Sequence, residues 1–366
     1  MTKQLDNYQC PACMGPLHFA GDSGMLECEY CGNAYDVAEI ERIQGGADPE
    51  PEDDWETGAE ESTDGDEGSY TPGGENWAPE GMKAYSCPSC GAELVCDETT
   101  AATSCPYCGN PGIIQENFAD MLRPDYVLPF RLDKEQVVAA LKKYYRGKPL
   151  LPGAFSRENH INEIKGVYVP FWLYDGQVEA DIRYSATRVF SVTNGDTLIT
   201  TTEHYRLRRA GAVSFERIPV DGSSKMPDAH MDAIEPFDYS QMKPFSPGYL
   251  PGYLADRYDV DYEKCAERAD ERAKSTAVSL MGESAGGYAT CIPVSQQLRL
   301  HRHGVSYALL PVWMLSTRWK NKTFLFAMNG QTGKLIGDLP ISRGRLAAWF
   351  LGIFAPLTGL MYLLLG

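Results

Sequence analysis

Hydrophobic positions follow three different rhythms along this 366-residue chain. From about residue 118 to 345 they recur with helix and strand periods, and from 346 to 366 they run without interruption. Before 118 they are sparse, and cysteine pairs take their place. In the middle region Asp133 with Gln136 reads as an N-cap and capping box. Val137, Val138, Leu141, Tyr144 and Tyr145 then form one apolar face, and Gly147 with Pro149 stops the helix. Residues 178–187 mostly alternate, which predicts a half-buried strand. Asn194-Gly195 follows as a turn, then a second strand over 197–209 and a third over 212–220. A longer helix is predicted from near Asp259 to Met281, with Tyr262, Cys265, Ala269, Ala273, Thr276 and Leu280 on one side and the pair Asp270/Lys274 on the charged side. Strands over 289–301, 306–318 and 322–329, a tight turn at Asn329–Gly333 and a last strand at 334–338 complete the region. VYVPFWLYDGQ (167–177) echoes ALLPVWMLSTR (308–318), and each follows a Pro-Phe and a helix. Residues 118–345 therefore read as one mainly antiparallel α+β domain with a possible internal duplication, Trp172 and Trp313 anchoring the two halves.

The uninterrupted run decides location. LAAWFLGIFAPLTGLMYLLLG has no charge in its twenty-one residues and as a helix would span about 31 Å, against a hydrocarbon core of about 30 Å. Its apolar residues surround the helix instead of forming a stripe, which suits lipid better than a protein core. Pro356 is tolerable there if hydroxyls such as that of Thr358 satisfy freed backbone groups. Arg343 and Arg345 precede the span, and MTKQLDNYQ at the start is no signal peptide. The expected arrangement is a single-pass, tail-anchored protein of the cell membrane with its N-terminus in the cytoplasm.

The cysteines supply the chemistry. Cys10/Cys13 with Cys28/Cys31, and Cys87/Cys90 with Cys105/Cys108, are two Cys-x-x-Cys pairs each, at identical spacing. Gly follows three of the four pairs and suits a tight knuckle that points both thiolates at one spot. Four such sulfurs make the closed tetrahedral cage of a structural Zn2+ site. An iron centre would call for a ferredoxin-type run, and a disulfide framework for an exported chain. Two zinc ribbons, residues 1–44 and 81–117, with two structural Zn2+ ions are expected. A ribbon of about thirty residues buries too little to fold alone, so the metal supplies most of its folding free energy. Cys96, Cys265 and Cys291 read as small packing residues.

Charge then narrows the partners. The net −17 is concentrated at the front: residues 45–80 carry thirteen Asp/Glu and no Lys/Arg, both ribbons are acidic, and residues 118–345 are slightly basic. Phosphate binding needs Lys/Arg to release counterions, so acidic ribbons argue against DNA or RNA. The acidic tract itself reads as a disordered linker that leaves the ribbons independently mobile, with Trp55, Tyr70 and Trp77 as spacer or a short partner motif.

No catalytic constellation assembles. GESAGG (282–287) fits the Gly-x-Ser-x-Gly pattern with Ser284 as nucleophile, but the elbow needs a strand before and a helix after, and the order here is reversed. His301 and His303 could chelate, yet lack a third ligand. They read better as a solvated or phosphate-facing pair beside Arg299 and Arg302. Arg206, Arg208 and Arg209 form a second basic cluster suited to an anionic leaflet.

The CPxC and CxYCGN ribbons, YVPFWLYDG (168–176), YLPGYLADRYDVDYE (249–263), NGQTGK (329–334) and the terminal span together resemble a family of bacterial TFIIB-type zinc-ribbon membrane proteins. Its members resemble proteins encoded beside SPFH/flotillin-like and PspA-type proteins. The resemblance implies a membrane-stress scaffold that recruits an SPFH-type partner. This chain departs in carrying two complete ribbons and a strongly acidic linker. The leading expectation is a non-enzymatic, tail-anchored adaptor. A membrane-associated nucleic-acid or transcription regulator comes second, and an enzyme in the 118–345 domain third.

Overall fold

The computed structural model of the protein describes residues 8–45, 76–77, 82–97, 100, 104–116, 121–153, 155, 163–320 and 322–365. The first cysteine block forms strands β1 (Leu17–Ala20), β2 (Met25–Cys28) and β3 (Ala34–Tyr35) and helix α1 (Val37–Gly45). After β4 (Asn76–Trp77), the second block contributes β5 (Met82–Ser86), β6 (Glu93–Asp97) and β7 (Ile114–Glu116). β8 (Met121–Leu122) and β9 (Tyr126–Val127) lead into helix α2 (Lys134–Tyr145), where the Asp133 carboxylate accepts the predicted capping bond from the Gln136 amide at 2.7 Å. Two long strands, β10 (Lys165–Asn194) and β11 (Thr197–Asp221), are followed by helix α3 (Asp228–Ile234), β12 (Lys243–Pro244) and β13 (Leu254–Asp256). Helix α4 (Tyr262–Glu283), β14 (Thr290–Trp319), β15 (Lys322–Asn329), β16 (Leu335–Gly337) and helix α5 (Arg343–Leu365) close the chain. The architecture is α+β, as its sequence pattern predicts.

Five expected strands turn out to be parts of three longer ones. The strand expected over 178–187 is the middle of β10, the strands over 197–209 and 212–220 are one strand, β11, and those over 289–301 and 306–318 are one strand, β14. Alternation missed the first half of β10 because VYVPFWLY is buried on both sides, so its two faces are equally apolar. Irregularities are absorbed by bulges at Asp175/Gly176 and Arg183/Tyr184. A Cβ on Gly176 would sit 2.8 Å from the His301 carbonyl, so only glycine allows the backbones to approach this closely.

β10 and β14 run antiparallel through the centre of an 11-stranded sheet. The two echoing segments lie directly against each other there, Val167 opposite Val312 and Phe171 opposite Ala308. β9 pairs in parallel with β14, and β13 in parallel with β10, so the short strand before each helix joins the long strand of the other half. That reciprocity is the arrangement a duplicated unit would give. Each tryptophan is anchored: the Trp172 indole donates to the Val260 carbonyl at 2.9 Å, and that of Trp313 to the Leu132 carbonyl at 3.1 Å.

Strand parity sorts the core into two faces. Tyr168, Trp172 and Tyr174 of β10 point to one side, where they pack with α2, the first turns of α4 and the first cysteine block. Val167, Val169, Phe171 and Leu173 point to the other, where α3 and the second cysteine block cover them. The first ribbon therefore packs on one face of the central strands, and the buried side chains of the second cysteine block pack on the other.

This overturns the expectation of independently mobile ribbons. In the first, the Phe19 amide donates to the Pro251 carbonyl at 3.0 Å, Ser246 donates to Glu41, and Val37 and Tyr8 close on Gly248 so tightly that a Cβ there would meet Val37 at 2.5 Å. In the second, β6 pairs with β13, which makes β5, β6 and β7 part of the domain's own sheet. Most of the acidic tract 45–80, including Trp55 and Tyr70, lies outside the described residues. Its end is not spacer, since Asn76–Trp77 pairs with Met121–Leu122.

Helix α5 begins at Arg343, three residues earlier than the apolar run. Over Arg343–Leu364 it is long and apolar enough to cross a membrane, and none of its most apolar window is buried. Its base is fixed to the domain, the Ser342 amide donating to the Leu150 carbonyl at 2.9 Å and the Arg345 guanidinium to that of Leu151. Thr358 Oγ1 donates to the Phe354 carbonyl at 2.7 Å. It therefore does not serve Gly352, the residue whose carbonyl loses its donor at Pro356.

Candidate metal centres

Four knuckles with the same backbone build the two cysteine quartets. At Cys10, Cys28, Cys87 and Cys105 the carbonyl accepts from the amide four residues on, at 2.8 to 3.0 Å, while the amide donates to the carbonyl five residues on. The turn requires a left-handed residue just after the second cysteine: Gly32, Gly91 and Gly109 have φ of 72°, 69° and 69°. At the fourth knuckle Met14 occupies that position with φ of 61°. The sequence marked this knuckle only by its missing glycine. The Met14 side chain is 69% exposed, so little packing offsets the backbone strain.

The knuckles bring each quartet together. Sγ–Sγ distances are 3.5 Å for Cys10–Cys31 and 3.4 Å for Cys13–Cys28, and 3.6 Å for both Cys87–Cys108 and Cys90–Cys105. Within a quartet all four sulfurs lie within 4.8 Å of one another. Metal–thiolate bonds of about 2.3 Å in a regular tetrahedron place sulfurs about 3.8 Å apart, so both quartets can hold an ion of this size. The first cysteine of each pair is buried; the second is exposed in ribbon 1 and half-buried in ribbon 2. Burial opposes ionisation of Cys10, yet backbone amides at Ala12 and Cys13 donate to its sulfur and bring its pKa down to about 6. Cys87 is brought to about 7 against the same opposition, by the amides of Cys90 and Ser89. All eleven cysteines are free of disulfides, and the three outside the quartets, Cys96, Cys265 and Cys291, join no metal-ligand group among the described residues.

No protein-family model matches the chain, and no solved structure matches it. It is similar to the uncharacterized protein YdjG of Bacillus subtilis (strain 168), with 33% identity over 347 residues that cover 95% of this chain and 94% of YdjG. The chain belongs to the YdjG family. A shared ribbon motif alone would account for about thirty residues of likeness; this likeness runs through the central domain as well.

In this YdjG-family protein the seat of the second centre contains residues that sequence reasoning missed. Tyr107, inside the Cys105–Cys108 knuckle, donates to Asp256 Oδ2 at 2.5 Å, and Ser223 donates to the same oxygen at 2.8 Å. Asp256 is fully buried, and burial pushes its carboxyl up to about 7 although both hydroxyls favour the charged form. Lys225 lies beside Gly91 and pairs with Asp259 at 2.9 Å. Lys165 Nζ donates to the Ser104 carbonyl and hydroxyl at 2.5 and 2.8 Å, and burial holds its ammonium below the usual range. Two lysines thus stand close to a cage that carries two net negative charges when four thiolates bind a divalent ion. The only sequence signal was the segment 249–263, which contains Asp256 and Asp259 without indicating their partners.

The other sequence candidates are not gathered into a site. Ser284 caps α4, its hydroxyl donating to the Met281 carbonyl at 2.6 Å, with a helix before it and a strand after. His301 lies opposite Gln177, and among the described residues only the two quartets bring together three or more metal-ligating groups. Arg302 is not turned toward a phosphate: it is held by both oxygens of Asp270 at 2.9 and 2.7 Å. Arg209 donates to the Ser284 carbonyl, while Arg208 is held by Asp181 on the opposite face of the sheet, which splits the basic cluster.

Proposed function

We propose that this protein is a non-enzymatic, tail-anchored adaptor: two structural Zn2+ ions shape its ribbons, α5 crosses the cell membrane once, and the rest lies in the cytoplasm. The observation that carries this reading is the pair of all-thiolate quartets seated on a domain whose last helix is apolar and uncovered. Four sulfurs leave no coordination position for a catalytic water, so such centres hold shape. Zinc is favoured over iron by the knuckle spacing and by the absence of a ferredoxin-type run. Because both ribbons are packed on the sheet, the surface offered to a partner combines ribbon and domain. By resemblance the partner is a cytoplasmic protein of the SPFH type, and Arg343 and Arg345 favour the orientation that keeps it within reach.

Co-purification from membranes, comparing the full chain with variants in which Cys87 and Cys90 or Cys10 and Cys13 are replaced by Ser, tests the reading. Loss of a protein partner together with one zinc equivalent is expected. Retention of every partner by metal-free chain, or salt-sensitive capture of polynucleotide in place of protein, would replace it with the nucleic-acid reading.

A further inference from the structure

Beyond α4, strands β10, β11 and β14 continue as a three-stranded arm that ends at the Asn194–Thr197 turn. In the arm β10 is central, and among the described residues β11 pairs with β10 alone, so its outer edge is unpaired. Sheet edges in soluble proteins are blunted by charge, proline, bulges or shortness. The opposite edge of the arm, β14, follows that rule, carrying Pro293 and the register shift opposite Arg183/Tyr184. β11 does not: Thr197–Thr202 has neither charge nor proline, pairs with β10 without a shift, and exposes Leu198 at 65% and Ile199 at 51%. Its β-branched, uncharged sequence suits strand addition.

We infer that this edge pairs with the same edge of a second copy of the chain, antiparallel about a two-fold axis at Thr201. Antiparallel neighbours directly opposite each other share a face, so the register must place even-numbered residues opposite even-numbered ones. A two-fold at Thr201 sets Thr200 opposite Thr202 and Leu198 opposite His204, and brings Asp196, the turn residue just before β11, to the end of the ladder beside Arg206, each twice by symmetry. Asp196 and Arg206 make no ion pair within the chain among the described residues. Shifting the register by two residues sets Asp196 against His204, or against Arg208, which Asp181 already holds at 2.7 Å. Charge complementarity therefore selects one register. The inference concerns self-association and does not depend on the adaptor reading or its partner.

The zinc-loaded full chain in detergent micelles is tested by sedimentation and by mild oxidation of single-cysteine additions, with the unsubstituted chain as control. T201C should give a disulfide-linked dimer, because opposite Cα atoms in this pairing lie within disulfide reach. T200C alone should not, whereas mixed T200C and T202C chains should. D196R and R206D should each weaken the dimer about tenfold, since two facing pairs per dimer turn repulsive, and the D196R/R206D double exchange should restore it. A chain that stays monomeric, a dimer indifferent to these charge changes, or equal cross-linking of T200C and T201C would overturn the inference.

Discussion

Replacing Asp256 by asparagine isolates the proton linkage of the ribbon 2 seat. Asp256 is 2% exposed, its Oδ1 has no partner, and burial raises its folded pKa to about 7, against an ordinary value of 3.8. A carboxyl whose pKa is raised on folding binds its proton more tightly in the native state. Its contribution is therefore full below pH 4 and is lost as pH rises through 7. With those two values the native chain should lose on the order of 1 kcal/mol of stability between pH 6 and pH 8 through this group alone. The amide of the Asp256→Asn variant cannot titrate, so that variant should lack the slope, whatever its absolute stability. Urea unfolding of zinc-saturated chain in detergent, followed by tryptophan fluorescence at pH 6, 7 and 8, measures the difference. The window stays above the range in which zinc thiolates protonate, and histidines common to both proteins cancel. Parallel stability curves for the two proteins would refute the buried Tyr107–Asp256–Ser223 cluster.

Other outcomes follow from the same geometry. Met14→Gly should stabilise ribbon 1 by about 0.5 to 1 kcal/mol, because the knuckle needs a left-handed residue and the methionine packs on little; a competitive zinc titration giving no gain or a loss would contradict the shared knuckle. Arg268→Ala should destabilise by about 3 to 5 kcal/mol, since it strips the 2.7 Å partner from buried Asp221, and denaturant midpoints read this directly. Chelation should speed amide exchange across 8–45 and 82–116 while Val167–Leu173 and Ala308–Met314 stay protected, because on the proposed reading the metal supports the ribbons, whereas the central strands have their own core. Uniform protection with and without chelator would remove the structural role of the ion.

Local rules made the metal centres legible. Two cysteines with two residues between them, followed in three of the four pairs by a glycine that accepts positive φ, form the same tight knuckle, so all eight cysteines that could hold metal stood in the sequence. The Asp133 cap and the apolar run after Arg345 were equally visible, because capping and lipid solubility are properties of a short segment. The long strands were not. A stretch such as VYVPFWLY, apolar on both faces, shows no alternation, and its length emerged from pairing with distant strands, β14 more than a hundred positions away among them.

The sequence by itself determined which atoms can hold metal and which segment can enter a bilayer, since each depends on neighbours within about thirty residues. Only the tertiary structure decided where the ribbons sit. Packing the first on one face of the β10–β14 sheet, and joining the second to that sheet through β13 with its cysteine block against the other face, buries Tyr8, Val37, Leu94 and Tyr107 against residues far along the chain. Apolar surface is buried by whatever face lies opposite it, and no single stretch of sequence records which face that is.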